Sequence, residues 1–150
     1  MQALNGLPTS LLFACSENSV RSPMAEALAK RLYGQAIYVE SVGVRARDVD
    51  GFVIAALDEL GIDVHRHHAQ TFVDVDPASF ELIVTLSPEA HHRALEFIRG
   101  TAVEVEYWPL PDPSAVEGTR EVQLEAFRQA RDMILARLKA RFGNPSGPSP

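Results

Sequence analysis

The stretch Leu11-Leu12-Phe13-Ala14-Cys15-Ser16-Glu17-Asn18-Ser19-Val20-Arg21-Ser22-Pro23 decides how this 150-residue chain folds. Its first four residues are an unbroken apolar run, the pattern of a short buried strand. At the far end Ser22 is suited to cap a helix and Pro23 to be its first residue. Met24, Leu28 and Leu32 recur at helical spacing, and Gly34 closes the segment. The sequence predicts strand, loop, helix.

Outward from that unit the same alternation continues. Residues 36–42 read as a second strand. A helix is expected over 49–60, with Phe52, Ala55, Ala56 and Leu60 on one face and Gly61 as its stop. Residues 80–85 read as a third buried strand, 88–98 as a helix and 102–108 as a fourth strand. A Pro-rich loop over 109–113 leads to a final helix over 119–142, carrying Val122, Leu124, Phe127, Met133, Ile134 and Leu138. Residues 143–150 form a Gly/Pro/Ser tail with nothing to bury and are expected to be disordered. The prediction is an α/β fold in one domain, residues 1–142, with helices on both faces of a parallel sheet joined by right-handed crossovers.

Composition narrows the function classes. Hydrophobic residues make up 46% and charged residues 23%, the balance of a globular protein. A formal net charge of −6 disfavours nucleic acid and anionic membrane as partners. No apolar run approaches membrane-spanning length, and residues 1–10 lack a basic segment followed by an apolar one. A single cysteine excludes an internal disulfide and fits a reducing compartment. The expected location is cytoplasmic.

In parallel sheets of this kind, ligands sit beyond the carboxyl ends of the strands. Two segments with reactive residues leave the sheet there. The first spans Cys15, five residues, Arg21 and Ser22. Five intervening residues let the amides of Ser16, Glu17, Asn18, Ser19, Val20, Arg21 and Ser22 turn inward as a nest for a phosphate-sized anion. The helix behind adds its positive dipole end, and Arg21 can lay its planar fork over two phosphate oxygens. The same positive field favours the thiolate of Cys15, and Ser22 can donate its hydroxyl to the sulfur. The second segment carries Asp112 between Pro111 and Pro113, on a stiff loop able to hold a carboxyl over the nest. An ester leaving group needs a general acid, and water then needs a base; Asp112 is the candidate for both.

The run from Leu12 to Leu28, with Cys-x5-Arg-Ser-Pro-Met-Ala-Glu at its centre and Asp112-Pro113 late in the chain, resembles the low-molecular-weight protein tyrosine phosphatases and their arsenate-reductase relatives. The resemblance covers the chain up to Phe142. It implies a four-stranded sheet in the order 2-1-3-4, a phosphotyrosine phosphatase I-like fold. It also implies a phosphocysteine intermediate on Cys15, no metal and no cofactor. By the same resemblance Asn18 braces the loop, Ser41 supports it from behind, and the bracing histidine after the second helix matches His67, with His65 and His68 close by.

The departures bear on substrate. Glu17 stands where the family usually has Gly, with its side chain expected to point to solvent, and Val20 stands where the family has a second Cys. Ser19 replaces an apolar residue, and Arg47, beside Arg45, replaces an aromatic wall. The expected activity is hydrolysis of phosphate monoesters, with a phosphorylated protein (phosphotyrosine by default) or a small phosphate ester as partner. The alternatives are a phosphoarginine phosphatase, or an arsenate reductase that relies on an external thiol or glutaredoxin-type partner.

Overall fold

Every residue of β1 (Ser10–Cys15) is buried, so both faces of the strand must be covered. The computed structural model describes residues 6–145 and shows how. β1 lies between β2 (Tyr38–Gly43) and β3 (Leu82–Thr85), and β3 pairs onward with β4 (Glu104–Tyr107). All pairs are parallel and the order is β2-β1-β3-β4. The 2-1-3-4 sheet is therefore present, and β1 is the strand on whose two sides the chain order reverses.

Alternation along β1 splits the core in two. Leu11, Phe13 and Cys15 pack with residues of α1 (Arg21–Tyr33), α2 (Gly51–Asp58) and α4 (Arg120–Phe142), including Leu28, Val53, Phe127 and Leu138. Leu12 and Ala14 point the other way, to Phe72, Phe80 and the small residues Ala90 and Ala94 of α3 (Pro88–Phe97). Each fully buried large side chain contributes about 1.5–3 kcal/mol, so both faces carry the fold.

Several expectations need correction. β2 starts two residues later than predicted and runs through Gly43, while β4 is shorter at both ends. α2 is trimmed to Gly51–Asp58 because the Asp50 side chain accepts the amide of Phe52 and caps it there. Its buried face is Val53, Ala56 and Leu57, with Phe52 and Ala55 at its edge, whereas Leu60 lies past the helix and is exposed. In α4 the buried stripe is Leu124, Phe127, Ile134 and Leu138, together with Arg131. Val122 and Met133 fall off that stripe and are half exposed. Residues 143–145 carry no helix or strand, and residues 146–150 of the expected disordered tail lie outside the described residues. Among the described residues no helix is long and apolar enough to cross a membrane.

Candidate active site

Cys15 ends β1 and Arg21 begins α1, so the chain must turn back within the few residues between them. It turns at Asn18, whose φ of 53° is the only positive value among the described non-glycine residues. Asparagine tolerates this region better than most residues. Glu17 has no such φ, so the backbone does not need glycine there. Among the described residues the amides of Ser16 to Val20 donate to no protein atom.

Cys15 is 2% exposed, and its sulfur lies 3.3 Å from the donating amide of Ser22 and 3.0 Å from the Ser22 hydroxyl. That hydroxyl accepts an N–H of Asn18 at 2.8 Å and has one hydrogen to give. Cys15 Sγ and the Val42 carbonyl, at 3.1 Å, are its two acceptors. Ser22 is thus not the helix cap that its sequence position predicts. The cap position falls on Val20 with no side-chain bond, because the Ser22 hydroxyl is committed inside the loop. The early amide of Ser22, left over by the helix, goes to sulfur instead.

Asn18 is fully buried and uses all four functions of its amide group. It donates to Ser22 Oγ and to Ser41 Oγ at 2.9 Å, and it accepts from the Gln70 amide at 3.0 Å and from His67 Nε2 at 3.1 Å. Ser41 passes the chain on, donating to Glu26 Oε1 at 2.5 Å, while Lys30 holds Glu26 Oε2 at 2.6 Å. His67 Nδ1 stands 3.7 Å from Glu26. Burial pushes the His67 imidazole below its ordinary range, and the Glu26 carboxylate offsets part of that. Of its neighbours, His65 is exposed and bonds Asp63. Among the described residues His68 makes no hydrogen bond to the loop.

The Arg21 side chain, 12% exposed, reaches the other segment. Nη1 donates to the Leu110 carbonyl at 3.0 Å, and Nη2 lies 3.8 Å from Asp112 Oδ2. Asp112 caps a 3-10 turn, Pro113–Ala115, its Oδ1 accepting from the Ser114 amide at 2.9 Å and hydroxyl at 2.7 Å. Its other oxygen is left toward Arg21. Cys15, Arg21 and Asp112 therefore come together at one sheet edge.

A third segment, 44–50, runs along the loop and grips it at both ends. The amides of Val44 and Arg45 donate to the carbonyls of Cys15 (3.1 Å) and Ser16 (2.9 Å). Further on, Ser19 Oγ donates to the Asp48 carbonyl at 2.8 Å and the Asp50 amide donates to the Ser19 carbonyl at 3.0 Å. This approach depends on Gly43. A Cβ there would lie 2.3 Å from the Arg45 carbonyl, 2.5 Å from the Asn18 nitrogen and 2.6 Å from the Glu17 carbonyl carbon. The Glu17 carboxylate does not simply face solvent: it meets Arg47 at 3.2 Å and Arg45 at 4.0 Å. Gly43, Glu26 and Gln70 are the residues that sequence reasoning missed. A glycine ending a strand beside the loop was the one available signal. Among the described residues no group of three or more His, Cys, Asp or Glu could hold a metal ion.

Residues 10–143 match the family model for low molecular weight phosphotyrosine protein phosphatase. The chain is 33% identical over 133 residues to the arsenate reductase of Bacillus licheniformis, covering 87% of this chain and 92% of that protein. The Bacillus subtilis arsenate reductase is also 33% identical, over 130 residues, covering 86% of this chain and 91% of its own. Among solved structures, an arsenate reductase in the phosphate binding state superposes with a TM-score of 0.70 at 26% identity, covering 91% of this chain and 98% of its own. Vibrio vulnificus Wzb in complex with benzylphosphonate shares the fold at a TM-score of 0.73 and 20% identity, covering 90% and 97%. By sequence and by fold, this chain belongs to the low molecular weight phosphotyrosine protein phosphatase family.

Proposed function

We propose that the protein hydrolyses phosphate monoesters through a phosphocysteine intermediate. The Cys15 thiolate attacks phosphorus while the P–O bond to the leaving group breaks, and Asp112 gives that oxygen a proton. Water then attacks the phosphocysteine as Asp112 takes a proton back, and the P–S bond breaks with its electron pair returning to sulfur. Arg21 and the free amides of the loop carry the charge of the transferring phosphoryl group. The observation that carries this reading over its main alternative is the cysteine count. Cys15 is the only cysteine in the chain, so no second thiol of its own can discharge an adduct on it. Asp112 and water can.

Arsenate reduction is the second reading, favoured by the names of the relatives at 33% identity. Arsenate has the shape and charge of phosphate and fits the same nest. An external thiol would attack the Cys15 sulfur of the arsenylated enzyme. Arsenite would leave with the electron pair, and a second external thiol would reduce the mixed disulfide. The deciding experiment is side-by-side turnover of para-nitrophenyl phosphate, phosphotyrosine, phosphoarginine and arsenate with added small thiol, on the parent and on Asp112→Asn. The phosphatase reading expects ester turnover without thiol. It also expects Asp112→Asn to lose about 10²–10⁴-fold on poor leaving groups and far less on para-nitrophenyl phosphate. Thiol-dependent arsenate turnover with inert esters would replace it.

A further inference from the structure

The rim above the anion loop is built of four charges drawn from three segments. Glu17 belongs to the loop, Arg45 and Arg47 to the segment after β2, and Glu89 to the first turn of α3. Arg45 is spent within this set: its two terminal nitrogens lie 2.6 and 3.0 Å from the two oxygens of Glu89, and its Nε is 4.0 Å from Glu17. Arg47 is not. It touches Glu17 through Nη1 alone, at 3.2 Å, and its side chain is 70% exposed. Its Nη2 and Nε have no partner among the described residues, so one edge of a planar two-edged donor is unused.

The position of Arg47 gives that free edge meaning. It lies on the segment pinned to the loop on one side at Cys15 and Ser16 and on the other at Ser19. Its guanidinium is held by a residue two places from the nucleophile. Glu17 is itself a loop residue and the Arg45 amide donates to the Ser16 carbonyl, so these charges border the loop on the side of the segment after β2. The carboxylate of Glu17 is already covered by two arginines, so the rim has little to offer a cation. It has an open donor edge for an anion.

We propose that Arg47 is a specificity-determining residue that selects phosphorylated substrates bearing a carboxylate on the leaving-group side, as in a phosphorylated side chain flanked by acidic residues. This rests on the reading of the loop as the phosphoryl site. Arg47 keeps one edge on Glu17 and gives the other to the substrate, while Glu17 tunes the response by competing for the same guanidinium.

The test pairs turnover with binding. kcat/KM is measured on phosphotyrosine peptides with acidic and with neutral flanks. In parallel, Kd is measured calorimetrically for benzylphosphonate and its para-carboxylated counterpart. The parent should favour the carboxylated member of each pair by about fivefold, the scale of one exposed ion pair, and less at high salt. Arg47→Ala should bring both ratios to near one. Glu17→Gln should raise them, since it frees the second edge of Arg47; a merely structural role for the pair would not move the two variants in opposite directions. Equal binding of the two phosphonates by the parent overturns the proposal whatever the turnover. Preferential binding with no ester turnover upholds the rim and instead contradicts the phosphatase reading.

Discussion

Asn18 holds the loop between Cys15 and Arg21 by spending both donors and both acceptor positions of its amide, and its partners Ser41 and Ser22 are themselves tied down. Ser41 leans on Glu26, Glu26 on Lys30, and Ser22 on the sulfur of Cys15. A buried polar network of this kind is rigid when complete and costly when broken, because each orphaned group forfeits about 1–3 kcal/mol. His67 is the member that titrates. Its burial holds it below the ordinary value of about 6.5, so the unfolded chain takes up a proton there at a pH where the folded protein does not. Native stability should therefore fall as pH drops below about 6.5, with the full loss present once pH is below the folded value. Glu59 and Glu89, held low by arginine partners, begin their own acid-side losses only in the carboxylate range near pH 4–5. Urea midpoints of the parent and of His67→Gln, measured from about pH 7 to 5, should show the parent losing stability and the variant staying flatter. Equal slopes would remove His67 from the network's pH response.

The elements differ in how much of themselves the sequence discloses. β1 and the existence of α1 were legible because a short apolar run, a Cys-x5-Arg-Ser loop and apolar residues at helical spacing each have their own local chemistry, although α1 begins at Arg21, two residues before the Pro23 start that the sequence predicts. The Ser22 cap was not, because a hydroxyl next to a helix start can serve either the helix or a neighbouring sulfur. Only the folded loop decides between them. The end of β2 was hidden for a related reason. Gly43 is needed for what passes beside it, the backbone of Glu17, Asn18 and Arg45, and close approach across two segments leaves little local trace. Gly43→Ala tests that element. Its Cβ would meet fixed backbone atoms on both sides, so we expect a loss of about 1–3 kcal/mol in denaturant titration. Phosphate binding should weaken as well, because the displaced atoms belong to the loop. A variant with parent-like stability and phosphate affinity would mean that segment 44–50 does not shape the loop.

At the scale of the whole molecule, the decisive arrangement is that β1 has its neighbours' crossovers on opposite sides. That topology opens a cleft at the strand's carboxyl end, and it sets Cys15 at the floor with the loop after β4 overhead. This convergence was legible: alternating apolar and amphipathic segments give a parallel sheet, and both reactive loops leave it at the same edge. The rim was not. Arg45, Arg47, Glu17 and Glu89 lie on three separate segments, and nothing in their spacing says that they meet. α4 packs with α1 and α2 on the Leu11 and Phe13 face of the sheet, its buried Arg131 donating to the Ala56 carbonyl of α2. In the proposed reaction Cys15 carries the phosphoryl group between substrate and water. That role is tested most directly by acid-quenching the enzyme during turnover of para-nitrophenyl phosphate and mapping the modified peptides by mass spectrometry. A phosphoryl group is expected on Cys15, building up at early times, and absent from Cys15→Ser, which should not turn over at all. Ester hydrolysis that persists in Cys15→Ser, or that proceeds in the parent with no phosphocysteine at any quench time, would contradict that role.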